Sequence, residues 1–184
     1  MLVLASASPR RHQLLEAAGI VHRVQPASVP EVLQPDEDGL TFARRLAVEK
    51  AGAVQLDEGD IGLGADTVVC LDTEVLGKPI DDGDARRMLR LLSGRQHWVH
   101  TGICLRTSKT VLTDLASTAV EFARLTEEEI AGYVQSGEGK DKAGGYAIQG
   151  LASRFVERIE GCYHNVVGLP IALVYRHLRT LKYL

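Results

Sequence analysis

The first eleven residues restrict the fold more than any others. Leu2 to Ala5 form an unbroken apolar run. Ser6-Ala7-Ser8-Pro9-Arg10-Arg11 follows, then a helical pattern of Leu14, Leu15 and Ala18 closed by Gly19. A short apolar run bounded by turn residues reads as a buried strand, and the 3.6-residue apolar period as a helix. Proline suits the first helical position, where a backbone N–H would have no intrahelical partner. The segment therefore predicts a strand, a tight turn and a helix amino terminus, with Ser6, Ser8, Arg10 and Arg11 gathered at the turn. Free N–H groups and a partial positive charge at such a terminus attract anions, and guanidiniums match phosphate oxygens. This reads as a phosphate cradle. The plainer alternative makes Ser8 an N-cap and the arginines solvated, although arginine in a first turn opposes the helix dipole.

The rest of the chain predicts an alternating order of elements. Ile20 to Val24 reads as a second strand, and Pro26 to Gly39 as a polar loop carrying Glu31. Thr41 is expected to cap a helix with Phe42, Leu46, Ala47, Ala51 and Val54 on its apolar side and Arg44, Arg45, Glu49 and Lys50 among its polar positions. Ile61 to Ala65 is a strand that Val68 to Leu71 continues or pairs with; Asp66 and Thr67 lie between them. A carboxylate inside such a run is costly unless paired, metal-bound or hydrogen-bonded. Val75 to Pro79 reads as a hairpin return. Asp81 or Asp82 is expected to cap a helix that ends at Ser93-Gly94, with Met88, Leu89 and Leu92 inward. Trp98–Leu105 and Val111–Phe122 are β-rich and antiparallel. Thr126 and Glu129 make a capping box for a helix reaching Gln135. A glycine-rich stretch, Gly137 to Gly150, then precedes a strand at Phe155–Ile159 and a last helix from Pro170 to about Leu181. This order argues an α/β fold, a mixed sheet flanked by helices. The middle hairpins are expected to form a second lobe, leaving a cleft between lobes for a ligand.

The 184 residues fit a single domain, residues 1–184, with a substantial core. The formal net charge of −3 and the lack of a basic face argue against nucleic acid or an anionic membrane as partner, so any anion site must be local. Cys70, Cys104 and Cys162 are widely spaced and form no C-x-x-C pair, which fits reduced thiols and a cytoplasmic protein. No apolar run approaches the ~20 residues of a membrane helix.

Ten polar residues are the candidates, most of them at strand ends or in the loops just after: Ser6, Ser8, Arg10, Arg11, Glu31, Lys50, Asp66, Thr67, Lys78 and Gln149. Four cations with two carboxylates is what a polyphosphate and a divalent metal require. His97 and His100, flanking Trp98, read as structural or surface residues rather than metal ligands. Tyr146 and Tyr163 are candidates for the cleft wall.

The chain resembles the Maf family, septum-formation inhibitor proteins that act as nucleoside triphosphate pyrophosphatases. The resemblance rests on Ser6-Ala7-Ser8-Pro9-Arg10-Arg11, Glu49-Lys50-Ala51, Gly64-Ala65-Asp66-Thr67 and Gly77-Lys78-Pro79. It extends to Ser93-Gly94, Thr101-Gly102, Asp141 to Tyr146, Ile148-Gln149-Gly150 and Val166 to Pro170, all in the family order. It implies an elongated, twisted mixed sheet with two lobes, often as a homodimer, and cleavage of a nucleoside triphosphate between its α and β phosphates. Asp66 matches the family's general base. Ser6, Ser8, Arg11, Lys50 and Lys78 match phosphate-handling positions. Glu31 and Asp66 match positions for a divalent cation, Mg²⁺ or Mn²⁺, with the division of metal and base work between them left open. Arg10, Thr67 and Gln149 match the discriminating positions of the branch that favours dTTP and UTP. The 7-methyl-GTP branch instead resembles Ser-Pro-Trp-Arg with Asp-Gln at positions 66 and 67. An alternative reading is a nucleotide-binding regulator of septum formation with little turnover.

Overall fold

The computed structural model describes residues 1–184. The chain runs β1 (Leu2–Leu4), α1 (Pro9–Ala17), β2 (His22–Val24), α2 (Gly39–Ala53), β3 (Ile61–Leu71), β4 (Glu74–Leu76), α3 (Asp82–Leu92), β5 (Gln96–Arg106), β6 (Val111–Phe122), α4 (Glu127–Ser136), β7 (Val156–Glu160), α5 (Tyr163–Val167) and α6 (Ile171–Thr180). The seven strands make one mixed sheet ordered β2-β1-β3-β5-β6-β7, with β4 also paired to β3. β1 pairs in parallel with β2 and β3; the other ladders are antiparallel. No helix is long and apolar enough to cross a membrane.

The long strand β3 organises the molecule. One of its edges pairs with β5 from Gly62 to Cys70. The other edge pairs with β1 only at Ile61–Leu63 and with β4 only at Val69–Leu71, leaving Gly64 to Val68 without a strand partner. Asp66 sits in that gap. The two short segments flanking it in sequence thus form one continuous strand of 11 residues.

Two apolar clusters share this one sheet. Leu2, Leu4, Leu63 and Ile103 pack with Leu15, Val174 and Leu178 of α1 and α6. Farther along, Val69, Val99 and Phe122 pack with Met88, Leu89 and Ile130 of α3 and α4. The β5–β6 hairpin was expected to build a second lobe. Its first strand, β5, reaches under both clusters, with Val99 in one and Ile103 and Leu105 in the other, while β6 adds Val120 and Phe122 to the cluster that holds Val99.

On the opposite face α2 lies directly against the sheet. Ala43, Ala47 and Ala51, spaced four apart, meet Gly64 and Gly102. A Cβ at Gly102 would stand 2.6 Å from the carbonyl carbon of Ala43, and one at Gly64 2.5 Å from the amide nitrogen of Ala51. Gly102→Ala must therefore lift α2 off the sheet. We expect it to cost about 1–3 kcal/mol in chemical denaturation, as overpacked core sites do; an unchanged midpoint would contradict this account of the contact.

Several local expectations shift. Asp38, not Thr41, caps α2, its carboxylate accepting from the Thr41 N–H at 2.8 Å. Thr41 instead occupies the third helical position, because a carboxylate on extended backbone reaches that N–H from one turn earlier. Asp81 caps α3, and Thr126 with Glu129 closes the capping box of α4. The short helix α5 was not expected. Residues 151–155 form a 3₁₀ turn, so the last strand begins at Val156.

Candidate active site

A cleft of about 630 Å³ opens at the gap in β3. Ser6, Ser8, Arg10, Arg11, Glu31, Lys50, Asp66, Thr67, Lys78 and Gln149 all line it. Asp66 and Thr67 are successive strand residues and point to opposite faces of the sheet. Both reach the cleft because it wraps around the unpaired edge.

On the Asp66 side the centre is Lys50, whose sequence position reads as one of the polar positions of its helix. Three residues beyond Ala47, it shares the sheet-facing side of α2 and is buried. Its Nζ donates to Asp66 Oδ1 at 2.6 Å and to Glu31 Oε1 at 2.6 Å. Lys78 Nζ donates to the other Glu31 oxygen at 3.1 Å. Burial pushes the Asp66 carboxyl up from its usual value, and Lys50 and Arg11 only partly oppose this. Burial pushes Glu31 up as well, but hydrogen bonds from Lys50 and Lys78 outweigh it and hold that carboxyl low. The Glu31 loop is fastened by Arg45, whose guanidinium donates to Glu37 at 2.7 Å and to the Val32 carbonyl at 3.0 Å.

On the Thr67 side the centre is Arg11. Its Nε donates to the Gly168 carbonyl at 2.8 Å, Nη1 to Ser6 Oγ at 3.1 Å, and Nη2 to Thr67 Oγ1 at 3.2 Å. Three of its five donors are spent on the frame, leaving two free for a ligand. Thr67 Oγ1 also lies 2.9 Å from Thr101 Oγ1, so its hydroxyl belongs to this frame as well as to the wall. Asn165 supports the arrangement from α5: its side chain donates to the Val99 carbonyl and to Thr118 Oγ1, each at 2.9 Å. Burial pulls the Arg11 guanidinium down from its usual value, with Asp66 pulling it back up.

At the turn after β1, Ser8 stands at the N-cap of α1 yet makes no capping bond with its side chain. The first turn of α1 carries no acidic residue, so its positive end and both arginines face the cleft uncompensated by their own helix. Arg10 reaches Asp141 at 3.6 Å. Gln149 is exposed and makes no hydrogen bond within the protein.

Tyr146, a candidate for the cleft wall, does line it, as do Asp141 and Lys142, which the sequence does not single out. The glycine-rich stretch signals a structured loop, but nothing in its sequence says that Asp141 and Lys142 turn inward. Tyr163 lies outside the cleft. His97 is buried, with Nε2 2.8 Å from the Tyr146 hydroxyl, which anchors this loop to β5.

The comparisons with known proteins agree on one family. A family model described as "Maf-like protein" matches residues 1–181. A protein named dTTP/UTP pyrophosphatase from Koribacter versatilis is 52% identical over 179 residues, covering 97% of this chain and 93% of its own. Proteins of the same name are similar in Thermus thermophilus, 52% identical over 95% of this chain and 91% of its own, and in Citrifermentans bemidjiense, 49% identical over 98% and 95%. With the match running through every element that builds the cleft, the chain belongs to the Maf-like protein family.

Proposed function

We propose that this protein is a nucleoside triphosphate pyrophosphatase acting on dTTP and UTP, releasing the monophosphate and pyrophosphate. The observation that carries the reading is the Glu31–Lys50–Asp66 arrangement, a carboxylate pair and a cation converging at a cleft rimmed by Arg10, Arg11, Lys78 and Lys142. Its support from relatives is the name borne by proteins about half identical over nearly the whole chain.

The buried carboxylate of Asp66 orients and deprotonates the attacking water. Lys50, Lys78 and the free donors of Arg11 face the charge that grows on the departing pyrophosphate, as preorganised donors do in other active sites. Ser6 and Ser8 add hydroxyl donors at the end of β1. The donor set fits a divalent cation. The carboxylates of Glu31 and Asp66 both line the cleft, each with one oxygen 2.6 Å from the Lys50 nitrogen that lies between them. No third His, Cys, Asp or Glu joins them. Two carboxylates completed by phosphate oxygens and water are what Mg²⁺ or Mn²⁺ accepts. Such a cation, held by Glu31 and Asp66, would offset phosphate charge when bound.

Base choice falls to Arg10, Thr67 and Gln149. The amide of Gln149 is unengaged and can pair with the carbonyl and imide edge of thymine or uracil. A polar site of this kind rejects a mismatched edge because its own groups are left unpaired. Gln149→Ala should therefore narrow the rate difference between dTTP and CTP or GTP more than it slows dTTP. An equal loss for all nucleotides would remove Gln149 from base selection.

The deciding experiment is pyrophosphate release from dTTP, UTP, CTP, GTP and 7-methyl-GTP, each with Mg²⁺ or Mn²⁺. Turnover centred on dTTP and UTP is expected. Nucleotide binding without turnover would replace this reading with the regulator.

A further inference from the structure

Away from the cleft, two histidines meet. His12, in the second turn of α1, places Nδ1 2.8 Å from Nε2 of His22 at the start of β2. Their rings stand edge to face at 4.9 Å. Neither residue lines the cleft.

The outer nitrogen of each ring faces an oxygen. His22 Nδ1 lies 2.8 Å from the Ile20 carbonyl oxygen. A carbonyl only accepts, so Nδ1 carries the hydrogen and the lone pair of a neutral His22 sits on Nε2, aimed at His12. His12 Nε2 lies 3.4 Å from a carboxylate oxygen of Glu16, one helical turn on. In the tautomer that turns its Nε2 hydrogen toward that oxygen, a neutral His12 keeps its lone pair on Nδ1, aimed at His22; in the other, Nδ1–H donates to His22 Nε2. In the first of these tautomers two lone pairs face one point. The same outer partners orient histidines that bind metals. With lone pairs facing, the gap calls for a cation, either a proton or a metal ion.

We infer that His12 and His22 form a two-histidine site for a borderline divalent cation such as Zn²⁺ or Ni²⁺, separate from the nucleotide cleft. Imidazole selects these ions over Mg²⁺ or Mn²⁺. Zinc–imidazole bonds of about 2.0–2.1 Å put neighbouring ligand nitrogens on the order of 3 Å apart, so the rings need only part slightly. No third His, Cys, Asp or Glu completes a cage. Water fills the remaining positions and the affinity is moderate. A bound ion staples α1 to β2, and through α1 the turn that carries Arg10 and Arg11.

The test is titration of the full chain with Zn²⁺ alone, followed by calorimetry and by the imidazole resonances of each histidine. Zn²⁺ is expected to shift His12 and His22 together, and excess Mg²⁺ to leave them unmoved. His12→Gln and His22→Gln, both at solvent-accessible positions, should each weaken Zn²⁺ binding by at least about tenfold. Glu16→Gln should weaken it by about tenfold, the low end of what loss of an outer partner costs. Glu31→Gln should leave it intact. Unmoved His12 and His22 resonances at saturating Zn²⁺ would overturn the site. So would equal affinity in folded His12→Gln and His22→Gln, checked by circular dichroism. Loss of binding in Glu31→Gln would put the ion in the cleft and overturn it equally.

Discussion

Asp66→Asn is expected to lower kcat for dTTP by about 10²–10⁴-fold, the range of a positioned general base, with a larger loss where the same carboxylate also holds a metal. The argument is geometric. Asp66 lies in the middle of β3, on the only part of that edge with no strand beside it. Its backbone is held by the β5 ladder, and its side chain is open to the cleft. A carboxylate there is poorly solvated, so burial favours its neutral form. With the folded-state pKa raised, ionised Asp66 works against stability at neutral pH. The variant should therefore melt no lower than the wild-type protein while losing turnover. Such a split separates a catalytic carboxylate from a structural one. A variant with near wild-type kcat would remove Asp66 from the chemistry. A lower melting temperature with proportionately lower activity would make it a fold residue.

The sequence made the strands and helices legible where one physical signal dominated. The Thr126–Glu129 capping box, the apolar run of β1 and the proline that starts α1 each specify local structure without help from distant residues. The glycine-rich loop was readable as structured, with Tyr146 and Gln149 as candidates, but the inward turn of Asp141 and Lys142 was not. Lys50 shows the limit most clearly. Charge and helical spacing put it among the polar positions of α2, yet Gly64 and Gly102 let α2 sit so close that its lysine turns toward the sheet. That outcome depends on glycines 14 and 52 positions away in sequence, and no local pattern encodes it. Thr67 differs for a similar reason: its hydroxyl is shared with Thr101 and Arg11, partners set by strand register and by α1. The cleft's ten residues came from the family's motifs as much as from residue chemistry. What only the fold could add was the division of these residues into two frames, one around Lys50 and one around Arg11.

The Lys50 frame makes a second strong prediction. Lys50→Met should lower kcat/KM for dTTP by about 10²–10³-fold, the loss typical of one preorganised electrostatic donor. Lys50→Arg should rescue little, because a planar guanidinium cannot replace a compact ammonium lying 2.6 Å from oxygens of two different carboxylates. The stability consequence is more diagnostic. Removing the lysine leaves Asp66 buried without its partner and brings it against Glu31 with no cation between them. Truncating one member of a buried pair costs up to about 3–5 kcal/mol, so Lys50→Met should unfold at clearly lower denaturant. Adding Asp66→Asn removes the stranded charge, and the double variant should regain a large part of that loss despite carrying two substitutions. Denaturant midpoints of the wild type, the two single variants and the double variant close the cycle. Stability losses that simply add would mean that Lys50 and Asp66 do not form one electrostatic unit. Recovery in the double variant, with turnover still absent, would mean that the frame accepts an unfavourable carboxylate for chemistry and needs Lys50 to tolerate it.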